Sequence, residues 1–178
     1  MAVFVALYRG INVGGKAVVK MEALRAMHEG LGHRKVRNYI QSGNVVFEAR
    51  GSGGGLAKKL AAAFVEEFGF AARVLVVSAD QWREIVGENP YAAQAGKNPK
   101  TVHVGICQNA PSVDALSQLL AKTGGKESFS ARGNVLYLHA PEGFGTSKFA
   151  AGMEKACGVA MTVRNWRTVE ALARLLNE

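Results

Sequence analysis

The chain has 178 residues, 48% of them hydrophobic and 20% charged, and a formal net charge of +8. That composition excludes a disordered chain, and the length suffices for one large core or two small ones. The positive excess is even, with 12 basic and 8 acidic side chains in residues 1–88 and 10 and 6 in residues 89–178, so it favours anionic partners without forming a basic tail.

Ala2–Tyr8 is short, apolar and aromatic, which predicts a strand. Gly10 to Lys20 is a loop with three glycines. Met21, Leu24, Met27, His28 and Leu31 recur at helical spacing, and Gly30 and Gly32 end that helix. Val36–Ile40 and Val45–Glu48 are strands about the turn Ser42-Gly43-Asn44. Gly51-Ser52-Gly53-Gly54-Gly55 is expected to be a flexible surface loop. Leu56, Leu60, Phe64 and Phe68 then mark a helix, and Ala72–Ser78 a strand.

Ser78 with Gln81 makes a capping box for a short connecting helix through Trp82 and Ile85. Asn89-Pro90 breaks that helix, and Gly96 to Pro99 is loop-like. The second half repeats the order. Thr101–Cys107 is a strand, and Pro111-Ser112 opens a helix on Val113, Leu116, Leu119 and Leu120. Ser128–Ser130 and Val135–His139 flank a turn. Phe149, Met153 and Cys157 share a helix face, and Ala160–Val163 is a strand. A last helix after Asn165 carries Val169, Leu172, Leu175 and Leu176.

Each half thus reads β-α-β-β-α-β, and Ser42-Gly43-Asn44-Val45-Val46-Phe47 can be set against Arg132-Gly133-Asn134-Val135-Leu136-Tyr137. The fold expected is α+β: two tandem ferredoxin-like plaits, with a connecting helix and an extra C-terminal helix. The first plait would span residues 1–78, the connector 79–99, and the second plait with its added helix 100–178.

The apolar stretch Ala2–Leu7 is six residues long, has no cationic run before it and is ended by Arg9, unlike a secretory signal. No run approaches the roughly 20 apolar residues of a membrane span. A cytoplasmic protein without membrane contact is therefore expected. Cys107 and Cys157 read as reduced, partly buried thiols. His28, His33, His103 and His139 lack metal-ligand spacing, so neither a metal nor any other cofactor is expected.

Ala6-Leu7-Tyr8-Arg9-Gly10-Ile11-Asn12-Val13-Gly14-Gly15-Lys16 and Tyr39-Ile40-Gln41-Ser42-Gly43-Asn44-Val45-Val46-Phe47 resemble a widespread bacterial family, domain of unknown function 1697 (DUF1697). Asn89-Pro90-Tyr91 and Thr162-Val163-Arg164-Asn165-Trp166-Arg167-Thr168-Val169 are also similar to it. The resemblance covers essentially the whole chain. It implies paired plaits and no known activity, so no catalytic residue carries over.

In a plait, strand three returns between strands one and two. The end of the first strand and the first hairpin turn then share one edge. That brings Arg9, Gly10, Asn12, Gly14, Gly15 and Lys16 toward Gln41, Ser42 and Asn44. Glycines permit positive φ and let N–H groups converge on an anion. Arg9 and Lys16 supply charge, and the amides supply direction. Each has a structural alternative: a tight loop for the glycines, a turn for Asn44, an ion pair of Arg9 with a carboxylate such as Glu48, and ordinary hairpin roles for Gln41 and Ser42.

Residues 10–16 fit seven positions of a P-loop, but Ala17 stands where the metal-binding hydroxyl belongs. Arg164, Asn165 and Trp166 are a second candidate, with Asn165 as N-cap and Trp166 either stacking on a ring or packing as an anchor. The leading function is a binding protein for a phosphorylated small molecule or nucleic acid. Two alternatives stand beside it: an enzyme of undefined class using the same site, and an interaction module. Oligomeric state is left open.

Overall fold

The structure, a computed structural model, describes residues 1–178. Two compact units emerge: Met1–Val86 together with Ala171–Glu178, and Gly87–Glu170. The end of the last helix, expected with the second half, therefore belongs to the first unit. Arg37 fastens it there, donating through Nη2 to the Leu175 carbonyl (2.7 Å) and pairing with Glu178 at 3.1 Å.

The first unit runs β1 (Ala2–Arg9), α1 (Met21–Gly30), β2 (Arg34–Tyr39), β3 (Asn44–Ala49), α2 (Gly53–Phe68) and β4 (Arg73–Ser78). Its four strands form one sheet in the order β2-β3-β1-β4, every neighbouring pair antiparallel. Side chains alternate across a strand. Phe4, Ala6 and Tyr8 of β1 and Val45, Phe47 and Ala49 of β3 thus face one way. They pack with Leu24 and Met27 of α1 and Leu56, Leu60 and Phe64 of α2 into one buried cluster. Each large apolar side chain so buried contributes on the order of 2 kcal/mol. Val5, Leu7 and Val46, on the other face, are buried as well, which explains why β1 reads as a continuous apolar run.

The connecting helix α3 (Ala79–Gly87) starts at the expected capping box: Gln81 N–H donates to Ser78 Oγ at 3.2 Å and Ser78 N–H to Gln81 Oε1 at 3.1 Å. The second unit continues through α4 (Ala92–Lys97), a 3-10 turn Pro99–Thr101, β5 (Val102–Cys107), α5 (Val113–Thr123), β6 (Ser128–Arg132), β7 (Val135–His139), α6 (Lys148–Cys157) and β8 (Met161–Asn165). Helix α7 (Trp166–Leu175) closes the chain. The second sheet is also antiparallel, in the order β6-β7-β5-β8. Its core joins Cys107, Leu136, Leu138 and Met161 to Leu116 of α5 and to Phe149, Met153 and Cys157 of α6. No helix is long and apolar enough to cross a membrane.

Two expected loops are helical. Ser52 caps α2, its hydroxyl accepting the Gly55 N–H at 3.2 Å, so Gly53, Gly54 and Gly55 form the first helical turn. Glycine is a poor helix former, but the cap and the burial of Leu56, Leu60 and Phe64 outweigh its cost. At Gly53 the residue is required, since a Cβ there would lie 2.8 Å from the Val76 carbonyl oxygen. Likewise Ala92–Lys97, which includes Gly96, makes a helical turn and a half, anchored by buried Ala95.

The two hairpins, alike in sequence, differ in pairing. Tyr39 pairs with Asn44, leaving a four-residue loop, whereas Arg132 pairs with Val135, leaving only Gly133-Asn134. In the first, the β1 residue Tyr8 donates its N–H to Gly43 O; in the second, Cys107 donates to Asn134 O, one residue later.

Candidate functional site

The segment after β1 folds back on itself as a small hairpin. Asn12 N–H donates to Ala17 O at 3.0 Å and Lys16 N–H to Val13 O at 3.1 Å, with Gly14 (φ +59) and Gly15 (φ +73) at the tip. Two successive left-handed residues are the signature of a two-residue hairpin turn. Residues 10–16 therefore do not run into a helix as a P-loop does: α1 starts at Met21. The Lys16 N–H is bonded within the turn instead of joining a nest, and its ammonium stands in solvent.

Asn12 holds this hairpin to the next. Its own φ is +54, a conformation asparagine tolerates better than most residues. Its amide nitrogen donates to Val19 O at 2.9 Å and to Gln41 O at 2.8 Å, while its amide oxygen accepts from Val19 N–H at 2.7 Å. The side chain is fully bonded to backbone, so it positions the loop. Asn44, wholly buried, acts similarly in the turn, donating to Ser42 Oγ at 2.8 Å and Tyr39 O at 3.2 Å.

Arg9 ends β1 opposite Arg73 of β4. Glu48 pairs with Val3 at the far end of β1 and holds Lys35 at 2.9 Å, which removes Glu48 as the partner considered for Arg9. Lys35 accordingly keeps the Glu48 carboxyl below its usual range.

Beside the clamp lies an open cleft of about 460 Å³. Of the residues singled out from sequence, Asn12 and Gln41 line it; Arg9, Gly10, Gly14, Gly15, Lys16, Ser42 and Asn44 do not. Sequence reasoning missed Lys20, Arg25 and Asn38, which do line it, with Arg25 Nη1 donating to Asn38 Oδ1. Their signal was present: Arg25 lies one helical turn after Met21, and Asn38 sits in the strand leading to the turn. Glu22 is the only carboxylate in the lining. Exposed Val13, Val18 and Ile40 make the neighbourhood apolar, and Ile40 holds φ +48, strained for a β-branched residue.

At the second candidate, Asn165 Oδ1 accepts the Thr168 N–H at 2.9 Å and so caps α7. Trp166 is 5% exposed, an anchor closed to stacking with a ligand ring. Burial brings the Arg164 guanidinium down to about 10. Both cysteines are free and buried, and desolvation raises the Cys107 thiol to about 11, far from a nucleophile at neutral pH.

A family model described as "Protein of unknown function (DUF1697)" matches residues 1–137. Among solved structures, a conserved bacterial protein, SP0830 from Streptococcus pneumoniae, is similar over 100% of this chain and 99% of its own, with 23% identity and a TM-score of 0.76. It shares the fold. An unknown protein from Galdieria sulphuraria aligns over 92% of this chain and 98% of its own at 12% identity, but its TM-score of 0.27 carries no argument. No curated protein matches the sequence.

Proposed function

The chain belongs to DUF1697, a family of proteins of unknown function, and from that starting point we propose that it binds an anionic ligand, a phosphorylated small molecule or nucleic acid, where the loop 9–16 meets the hairpin 41–44. One observation carries this: the Asn12 amide bonds the backbone of Val19 and of Gln41 at once, beside a single cleft that Lys20, Arg25 and Gln41 all line. Lys16 and Arg9 lie outside the lining of that cleft, in the loop 9–16, and add to the positive field of the neighbourhood. Lys20 and Lys16 act as point charges, and Gln41 supplies a directional donor. We infer also that each unit is a ferredoxin-like plait. The support is the element order together with a strand order in which the third strand lies between the first and second.

Filter binding of single-stranded oligonucleotides across a salt series, beside calorimetric titration with nucleoside phosphates, tests the ligand class. Binding should weaken with salt, and Lys16→Ala with Lys20→Ala should reduce the salt slope by about 1 for each phosphate left without its lysine. No binding of either probe at low salt, or a slope untouched by both changes, would refute the site.

A further inference from the structure

The core of the first unit contains a chain of three hydrogen-bonding rings. The Tyr8 hydroxyl lies 2.8 Å from His28 Nε2, and His28 Nδ1 lies 3.1 Å from His33 Nδ1. Tyr8 is 1% exposed, His28 0% and His33 7%. The His33 ring stacks on Phe47, with centroids 4.6 Å apart and planes at 21°. Its second nitrogen, Nε2, has no hydrogen-bond partner in the protein, and the ring forms part of the wall of a separate cleft of about 340 Å³. The first turn of α2, through Ser52 and Gly55, lines the same cleft, as do Met1 and the cations Arg50 and Lys59. No carboxylate is among the lining residues.

A neutral imidazole has one N–H and one acceptor nitrogen. Burial keeps both histidines neutral: desolvation pushes His28 down to about 3, and desolvation with the Lys59 charge lowers His33. Two facing Nδ1 atoms at 3.1 Å then share one proton, and the chain of rings has two arrangements. In one, Tyr8 donates to His28 Nε2, His28 Nδ1–H donates to His33 Nδ1, and His33 Nε2–H is left to face the cleft. In the other every bond is reversed, and His33 shows the cleft a lone pair. An oxyanion selects the first, because only that arrangement offers it a donor. The start of α2 adds positive potential at the same place.

We propose that this cleft binds the phosphate group of a small molecule, with His33 Nε2–H, Lys59 and Arg50 as its ligands and with Tyr8 and His28 as positioning residues that set the His33 tautomer. The site shares no residue with the loop cleft, so each stands or falls alone. The test is imidazole 15N NMR of the full chain near neutral pH, titrated with inorganic phosphate and, separately, with chloride at matched ionic strength. Phosphate should move His33 Nε2 saturably toward the protonated-nitrogen range, with His28 Nδ1 following. Lys59→Met should weaken the affinity about tenfold through loss of a charge-assisted bond. Tyr8→Phe should shift the His33 tautomer balance even without phosphate, a signature that loss of packing alone would not produce. Lys16→Ala should leave the titration unchanged. His33 nitrogens that stay fixed through tens of millimolar phosphate, an equal response to chloride, or unaltered affinity in Lys59→Met would each overturn the proposal.

Discussion

Replacing Gly43 by alanine tests how tightly the first hairpin is built. Gly43 has φ +79, and a Cβ there would lie 2.8 Å from Tyr8 Cβ, 2.9 Å from Ile11 Cδ1 and 3.0 Å from Tyr8 O. None of the three can move easily: Tyr8 and Ile11 are buried, and Tyr8 N–H is bonded to Gly43 O. A left-handed alanine costs about 1–2 kcal/mol. Overpacking against fixed core atoms adds about 1–3 kcal/mol. Gly43→Ala should therefore destabilise the first unit by roughly 2–5 kcal/mol. The second hairpin supplies the control, for Gly133 has φ +57 but nothing within 4 Å of a Cβ. Gly133→Ala meets only the backbone penalty, and should cost about 1 kcal/mol. Urea unfolding combined with amide hydrogen exchange in β3 and β7 reads both effects, each in its own unit. Equal losses in the two variants would show that the surroundings of Gly43 are not rigid and that the two hairpins are interchangeable.

The buried histidine predicts a pH dependence of stability. His28 titrates near 3 when folded instead of 6.5, so below pH 6.5 the unfolded chain takes up a proton that the folded chain refuses. Stability is full above that pH and falls as pH drops toward 3; between pH 7 and 5 the loss from His28 alone is about 2 kcal/mol, and His28→Gln should flatten that slope in urea titrations. Gly54 has open space about its Cβ position and an ordinary helical φ, so Gly54→Ala should raise stability by about 0.5–1 kcal/mol, whereas Gly53→Ala, aimed at Val76 O, should lower it; thermal melts of the pair check the sign. Ile40 is half exposed at φ +48, so Ile40→Asn should relieve strain and stabilise by about 1 kcal/mol in the same melts; a loss would mean that its side chain packs more than its exposure indicates.

The sequence alone determined the eight strands and six of the seven helices in their order, because periodicity and caps are local; the short helix Ala92–Lys97 escaped it. Leu56, Leu60 and Phe64 mark the inner face of α2 by spacing, Ser78 and Gln81 announce the start of α3, and the apolar runs of β1 and β4 identify strands. It also placed the loop after β1 beside the first hairpin, since any sheet with the third strand between the first two does so. Competition between distant groups was left to the tertiary structure. Asn12 is as polar as a ligand-binding amide in the sequence; only the positions of Val19 and Gln41 make it a clamp. Gly53 to Gly55 look like a flexible loop until Ser52 caps them and the sheet edge at Val76 leaves room for no side chain. The two Gly-Asn turns read as copies, yet the ladder ends one residue apart in them, which jams Gly43 and frees Gly133. Tyr8, His28 and His33 fall on a strand, a helix and the turn after it, and no local spacing foretells their joining. The packing of α1 across the sheet brings the three rings into line, and burial then holds them neutral.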